Sequence, residues 1–251
     1  MRESAHHFFY FLTREIAMAI PRLFSRHRHE GMENVPKTGA ALLLCNHISH
    51  FDPPYMGVQF PRYIHFMADK PLLEIPIFGT WLGWSYVFPI DRTKTDLQAI
   101  KTALRRLKDG NVVAIFPEEG IRQGSRSVLG GAEMPTGTMS MWKKTGVPVI
   151  PMIILGSDQV YAWRRWLSRP RVFIRAGKVI PCDPNATREE LRDRVVAAWR
   201  ELYDGLVRDH HIQPDELPKT AQERLGGNIP IPATFASADQ KTPPSAGGEG
   251  S

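Results

Sequence analysis

Cysteine is scarce in this chain: Cys45 and Cys182 are the only two among 251 residues. Two thiols cannot build a disulfide framework or a cysteine-rich zinc site, and they fit a reducing compartment. Long apolar runs are missing too. The longest uncharged candidate, Ile75 to Ile90, is broken by Pro76, Gly79, Gly83 and Pro89. It also falls short of the roughly 18–20 residues that a spanning helix needs. A secretory leader is not expected: Phe8 to Leu12 is apolar, but Arg14 and Glu15 interrupt it and no small-residue cleavage site follows. No internal repeat, RNA-binding glycine signature, zinc-finger spacing or leucine-zipper heptad is present, so no nucleic-acid partner is expected. What the chain has in excess is positive charge, with 32 Lys and Arg against 26 Asp and Glu and a pI of about 9.4. That excess favours anionic partners such as acidic lipid headgroups or phosphorylated small molecules.

Strand-like runs occur at Ala40–Cys45, Tyr63–Met67, Ser85–Phe88, Val112–Phe116, Val147–Leu155 and Arg171–Arg175. Helical patterns lie between them. Thr95 to Lys108 places Leu97, Ile100, Leu104 and Leu107 at helical spacing, with Thr95 and Gln98 as a capping box. Thr187 and Glu190 form a second such signal, opening a helix that carries Leu191, Val195, Ala198, Leu202 and Leu206. Strands alternating with helices predict an α/β domain with a mostly parallel central sheet flanked by helices, over about residues 30–210. Residues 5–24 group Phe8, Phe9, Leu12, Ile16, Ala19, Ile20 and Leu23 on one helical face. This amphipathic pattern suits either a membrane interface or the protein's own core. Residues 211–251 hold few large apolar side chains and end in TPPSAGGEGS, which predicts a largely disordered tail.

The run Ala40–Cys45 leads into Asn46-His47-Ile48-Ser49-His50-Phe51-Asp52. A histidine delivered from a strand end, with a carboxylate five residues on, suits a base held by an orienting partner. His47, His50 and Asp52 are also candidate ligands of a metal-dependent hydrolase. Two later strand ends carry charge: Phe88-Pro89-Ile90-Asp91-Arg92, and Phe116-Pro117-Glu118-Glu119-Gly120-Ile121-Arg122 with Arg126 beyond. Parallel strands converge at one sheet edge, and guanidinium groups brought there suit a phosphate. The densest basic run, Tyr161 to Lys178, holds six Lys and Arg and no acid. With its Trp and Tyr residues, it suits an anionic headgroup surface or the phosphates of coenzyme A.

These segments together resemble the glycerolipid acyltransferases, the family of the 1-acylglycerol-3-phosphate acyltransferases. Asn46-His47-x-x-x-x-Asp52 is similar to its N-H-x-x-x-x-D motif. Phe88–Arg92 resembles its second motif, Phe116–Arg122 its third, F-P-E-G-x-R, and Val147–Pro151 its fourth. Lys70 matches a lysine between the first two. Order and spacing agree over roughly residues 30–155, and four motifs in series make the likeness specific. The third motif departs from the pattern. Glu119 stands where its first glycine usually does, and Arg122 comes one position late. Glu118 and Glu119 therefore both remain candidates to face the site, as do Arg122 and Arg126.

The resemblance implies transfer of a fatty acyl group from a thioester to the hydroxyl of a lysophosphatidic acid-type acceptor. His47 would be the general base and Asp52 its partner. Asn46, Lys70, Arg92, Glu118, Glu119, Gly120, Arg122 and Arg126 would form the acceptor side. Another lysophospholipid or an aminolipid is the alternative acceptor. Neither metal nor bound cofactor is implied, and acyl-CoA or acyl carrier protein would be the acyl-donor co-substrate. The family also implies a membrane-docking element at residues 1–29, an acyltransferase domain at 30–210 and a tail at 211–251. That makes a peripheral or monotopic protein at the cytoplasmic membrane face, with anionic lipids as partners.

Overall fold

The computed structural model describes residues 23–57, 59–76, 79–80, 82, 86–91 and 96–225, with Leu12, Glu15 and Ala19. Seven strands form one sheet: β1 (Arg26–Glu30), β2 (Ala41–Cys45), β3 (Ile64–Asp69), β4 (Phe88–Ile90), β5 (Val112–Ile115), β6 (Val149–Leu155) and β7 (Arg171–Ala176). Their order is β1-β7-β6-β2-β5-β3-β4. The five strands β4, β3, β5, β2 and β6 run parallel. β7 turns back antiparallel to β6, and β1 lies parallel to β7.

Both faces of the sheet are covered, which explains why β2 reads as an unbroken apolar run. Alternate residues serve opposite cores. Ala41, Leu43 and Cys45 pack with Ile150, Met152, Ile154 and with Tyr55 and Met56 of α1 (Asp52–Gly57). Leu42 and Leu44 pack with Val149 and Ile153 under α3 (Leu97–Lys108), α4 (Gly137–Thr145) and α5 (Arg188–Asp209). A short α2 (Lys70–Glu74) follows β3 directly. Trp199 of α5 is fully buried and donates its indole N–H to the Leu44 carbonyl at 3.2 Å, fixing that helix over the central strand.

The mostly parallel α/β architecture agrees with the sequence, but several details move. α3 is capped by Asp96, whose carboxylate accepts from the Gln98 and Ala99 N–H groups; Thr95, the expected cap, lies outside the described residues. Its buried line is Ala99, Ala103 and Leu107, and Leu97 is exposed. The Thr187–Glu190 capping box forms as expected, and Trp199 takes the buried place expected of Ala198. β1 occupies residues assigned to the N-terminal segment. Most of the amphipathic pattern at 5–24 lies outside the described residues. Of its last turn, Leu23 is exposed, and the adjacent Phe24 ring lies 4.5 Å from that of Trp166.

Of the stretch past residue 210, Gln213 to Leu225 packs on the domain. It ends in α6 (Ala221–Leu225), whose Arg224 meets Asp158 at 2.6 Å with both side chains almost fully buried. Asp215 pairs with Arg165 at 3.3 Å and Glu216 with Arg171 at 2.7 Å. Residues 226–251 lie outside the described residues. Removing one partner of a buried ion pair leaves the other charge uncompensated and costs about 3–5 kcal/mol. Arg224→Gln should therefore lower the urea-unfolding free energy by that amount, and adding Asp158→Asn should restore much of it. An unaltered midpoint in the single variant would show that the segment does not hold to the domain.

Candidate active site

The chain leaves β2 at Cys45, and the next residue extends the sheet with a side chain. The buried Asn46 amide donates to the Ile154 carbonyl at 3.0 Å and accepts from the Ile154 N–H at 2.8 Å. It thus imitates one more ladder pair on β6, which makes Asn46 a brace of the turn. His47 and the following turn then close around Asp52. One carboxylate oxygen of Asp52 accepts from His47 Nδ1 at 2.8 Å, Ile48 N–H at 2.7 Å and Ser49 N–H at 2.9 Å. The other accepts from the Ser157 hydroxyl at 2.5 Å. Asp52 is wholly buried, whereas the His47 side chain keeps 12% of its surface. The imidazole stacks on Phe116, ring centroids 4.1 Å apart. A carboxylate on Nδ1 fixes the tautomer in which Nε2 can accept a proton.

The end of β5 supplies the second wall. Glu118 is buried and bridges two loops: its oxygens accept from the His47 N–H at 2.9 Å and the Val128 N–H at 2.8 Å. Burial pushes its carboxyl up to about 7, against the pull of those two donors. Glu119 is exposed and turned outward, with a left-handed φ of 56°. This is the position where the family motif carries glycine, and the backbone keeps the glycine-like conformation although the residue is Glu. Gly120 is buried behind it.

Arg122 lies beside His47. Its N–H donates to the His47 carbonyl at 2.8 Å, and its guanidinium Nε lies 3.5 Å from the Glu118 carbonyl. Arg126 sits on an exposed turn, Gly124–Arg126. The intervening Gln123, which sequence reasoning passed over, donates to the Ile48 carbonyl at 2.8 Å. Lys70 stands exposed where β3 ends, 3.7 Å from Glu74. Arg92 lies outside the described residues, two positions past the end of β4. The parallel register places the ends of β2, β3, β4, β5 and β6 at one edge, so Asn46, Lys70, Glu118 and Ser157 share it with His47.

The metal-ligand reading gains nothing from this geometry. His50 turns its Nδ1 to the Tyr161 hydroxyl at 2.5 Å, and the same hydroxyl accepts from the His50 backbone at 2.9 Å. Burial, then His47, pushes the His50 imidazole down to about 4. Among the described residues no three His, Cys, Asp or Glu side chains converge as a ligand set. The basic run is also less open than its sequence implies. Of its six cations, Arg165 pairs with Asp215, Arg171 with Glu216, and Arg175 with Glu30 and Asp209. Ser157 and Tyr161 were not among the expected site residues. The available signal was positional: both follow the end of β6, at the edge already marked by β2 and β5.

A family model described as Acyltransferase matches residues 26–155, from β1 to the end of β6. The 1-acyl-sn-glycerol-3-phosphate acyltransferase of Bacillus subtilis is 36% identical over 86 residues, which are 34% of this chain and 43% of that protein. Its counterpart in Helicobacter pylori is 30% identical over 176 residues, covering 67% of this chain and 72% of that protein. The match spans less than half the length of four of the curated relatives. Among solved structures, the 1-acyl-sn-glycerophosphate (LPA) acyltransferase PlsC of Thermotoga maritima shares the fold, with a TM-score of 0.67. That likeness covers 82% of this chain and 83% of PlsC at 24% identity. With the family model spanning more than half of its residues, the chain belongs to the glycerolipid acyltransferase family.

Proposed function

We propose that the protein is an O-acyltransferase that moves a fatty acyl group from an acyl thioester to the hydroxyl of a lysophosphatidic acid-type acceptor. The observation that carries this reading is the His47–Asp52 pair, held at the parallel sheet edge with the imidazole partly open. The curated relatives with that activity support the acceptor class. His47 Nε2 takes the acceptor hydroxyl proton as the oxygen attacks the thioester carbonyl. The thiolate then leaves and recovers the proton from the imidazolium, whose charge Asp52 balances. No enzyme nucleophile is needed. Cys45, the nearest thiol in sequence, is fully buried, and burial pushes its thiol well above the ordinary range.

Arg122 is the described cation best placed for the acceptor phosphate, with Arg92 expected to join it and Lys70 and Arg126 nearer the rim. Glu118 shapes that side of the site by holding the His47 backbone to the 124–128 loop. Acyl-CoA or acyl carrier protein is the donor, and the reaction requires no resident metal or cofactor. No helix among the described residues is long and apolar enough to cross a membrane. We place the protein peripherally at the cytoplasmic membrane face, where its lipid substrate resides.

Purified protein given a long-chain acyl-CoA and lysophosphatidic acid should release free thiol. His47→Ala should lower kcat by about 10²–10⁴-fold while circular dichroism stays unchanged. Wild-type turnover in that variant would remove the mechanism. Arg122→Ala should raise the KM for the phosphorylated acceptor roughly 10–100-fold with little change in that for the thioester. Equal KM values in variant and wild type would separate Arg122 from the phosphate.

Glu118 predicts a pH signature. Its carboxyl rises from 4.5 to about 7 on folding, so the folded chain holds the proton more tightly. Its contribution to stability falls as pH climbs from about 4.5 to 7 and is level above that range. The unfolding free energy of wild type relative to Glu118→Gln should therefore drop by on the order of 3 kcal/mol across that window. The histidines His29, His50 and His65, all pushed down to about 4, titrate in the opposite sense in both proteins and cancel in the difference. A pH-independent difference in urea-unfolding free energy would contradict the assignment.

A further inference from the structure

Asp52 has two oxygens, and the mechanism uses one of them. Oδ2 carries His47 and the turn's N–H groups; Oδ1 carries the Ser157 hydroxyl at 2.5 Å. Ser157 is fully buried, so no water competes for this contact. Its place is set by a constrained turn. Gly156 has φ 85°, and a Cβ there would lie 2.2 Å from the Arg171 carbonyl oxygen. The residue after Ser157 is Asp158, also fully buried, which accepts from the Lys219 N–H at 2.9 Å and from Arg224 at 2.6 Å. A continuous chain of contacts thus runs from the C-terminal segment through Asp158 and Ser157 to Asp52 and His47.

We propose that Ser157 is a positioning residue of the His47–Asp52 pair, kept in register by the C-terminal segment through the buried Asp158–Arg224 ion pair. Its catalytic consequence rests on the acyltransferase reading; its effect on His47 rests on the geometry alone. The hydroxyl does two things. It stops the carboxylate from rotating away from Nδ1. It also draws on the carboxylate's charge, so that the imidazolium is stabilised less than by an unshared anion. Loss of the hydroxyl should therefore make His47 more basic. The other groups around His47 stay in place in such a variant: Glu118 on its N–H, Arg122 on its carbonyl, and His50 near its ring.

The test is the titration of His47 in the full chain by NMR of labelled histidine, assigned by difference from His47→Ala. In Ser157→Ala the His47 pKa should rise by roughly half to one unit. The acid limb of kcat/KM should move up with it, with kcat about tenfold lower and KM unaltered. Ser157→Cys, near in size with a weaker donor, should shift His47 the same way by less, and it serves where the alanine variant does not fold. Asp158→Asn with Arg224→Gln, which removes the ion pair without leaving a charge, should reproduce the direction of the Ser157→Ala shift. A wild-type His47 titration in both Ser157 variants overturns the positioning role, and one in the double variant overturns the part given to the C-terminal segment. The two readings fail separately: full activity in His47→Ala with a shifted titration in Ser157→Ala removes the mechanism and keeps the positioning role.

Discussion

The structure turns on one buried carboxylate. Asp52 accepts four hydrogen bonds with no exposed surface. A buried anion is tolerable only when its lone pairs are satisfied, and here the satisfying donors come from three places. Two are backbone N–H groups of the turn itself, one is the imidazole it orients, and one is a hydroxyl from beyond β6. The bonds that satisfy the buried Asp52 carboxyl oxygens are therefore the same bonds that define the turn. A site of this kind needs little reorganisation when charge develops on the imidazole.

The parallel sheet makes that economy workable. Because β2, β5 and β6 run in one direction, the loops that follow them emerge together, and each reaches the next through side chains. Asn46 is tied to β6, Glu118 ties the loop after β5 to His47, and Gln123 returns to Ile48. Glu118 shows the cost of this cross-bracing. Two N–H donors favour its anion, yet burial outweighs them and leaves it titrating near 7. Glu119 shows a second cost, since a non-glycine residue held at φ 56° is about 1–2 kcal/mol less comfortable than in the right-handed region. Both strains lie in the loop that positions His47, where backbone strain is commonly concentrated.

How much of this could be read beforehand depended on whether the signal was local. The strands buried on both faces, β2, β5 and β6, announce themselves as apolar runs, and the Thr187–Glu190 cap depends on residues three apart. The first motif is legible because base and partner lie in one turn. β1 was missed because it reads Arg-His-Arg-His-Glu, with no apolar alternation. It is an edge strand, and His29 turns to the Tyr55 carbonyl at 2.9 Å, a partner 26 residues away. On α3 the large residues Ile100 and Leu104 suggest a stripe one position from the buried line, which is made by the small Ala99 and Ala103 with Leu107. Ser157 and Gln123 carry no chemical signature of their own, and only the parallel order of the strands brings them to His47.

The charge excess illustrates the same limit more sharply. From Asp209 onward the chain holds six acids against three bases, which concentrates positive charge in the first 208 residues. Read linearly, Tyr161–Lys178 is the obvious anionic-surface candidate. Folded, three of its six cations face acids: Glu30 of β1, Asp209 at the end of α5, and Asp215 and Glu216 of the segment that follows, of which Glu216 is largely covered. Charge opposed at this range is removed from the long-range field that attracts a membrane. The exposed apolar side chains of this region are Leu167, within the run, and Leu23, next to the Phe24–Trp166 contact. The paired arginines serve the fold instead. Arg165 and Arg171 fasten the C-terminal segment to the domain just past β6, and Arg175 ties β7 to Glu30 of β1 and to Asp209 at the end of α5.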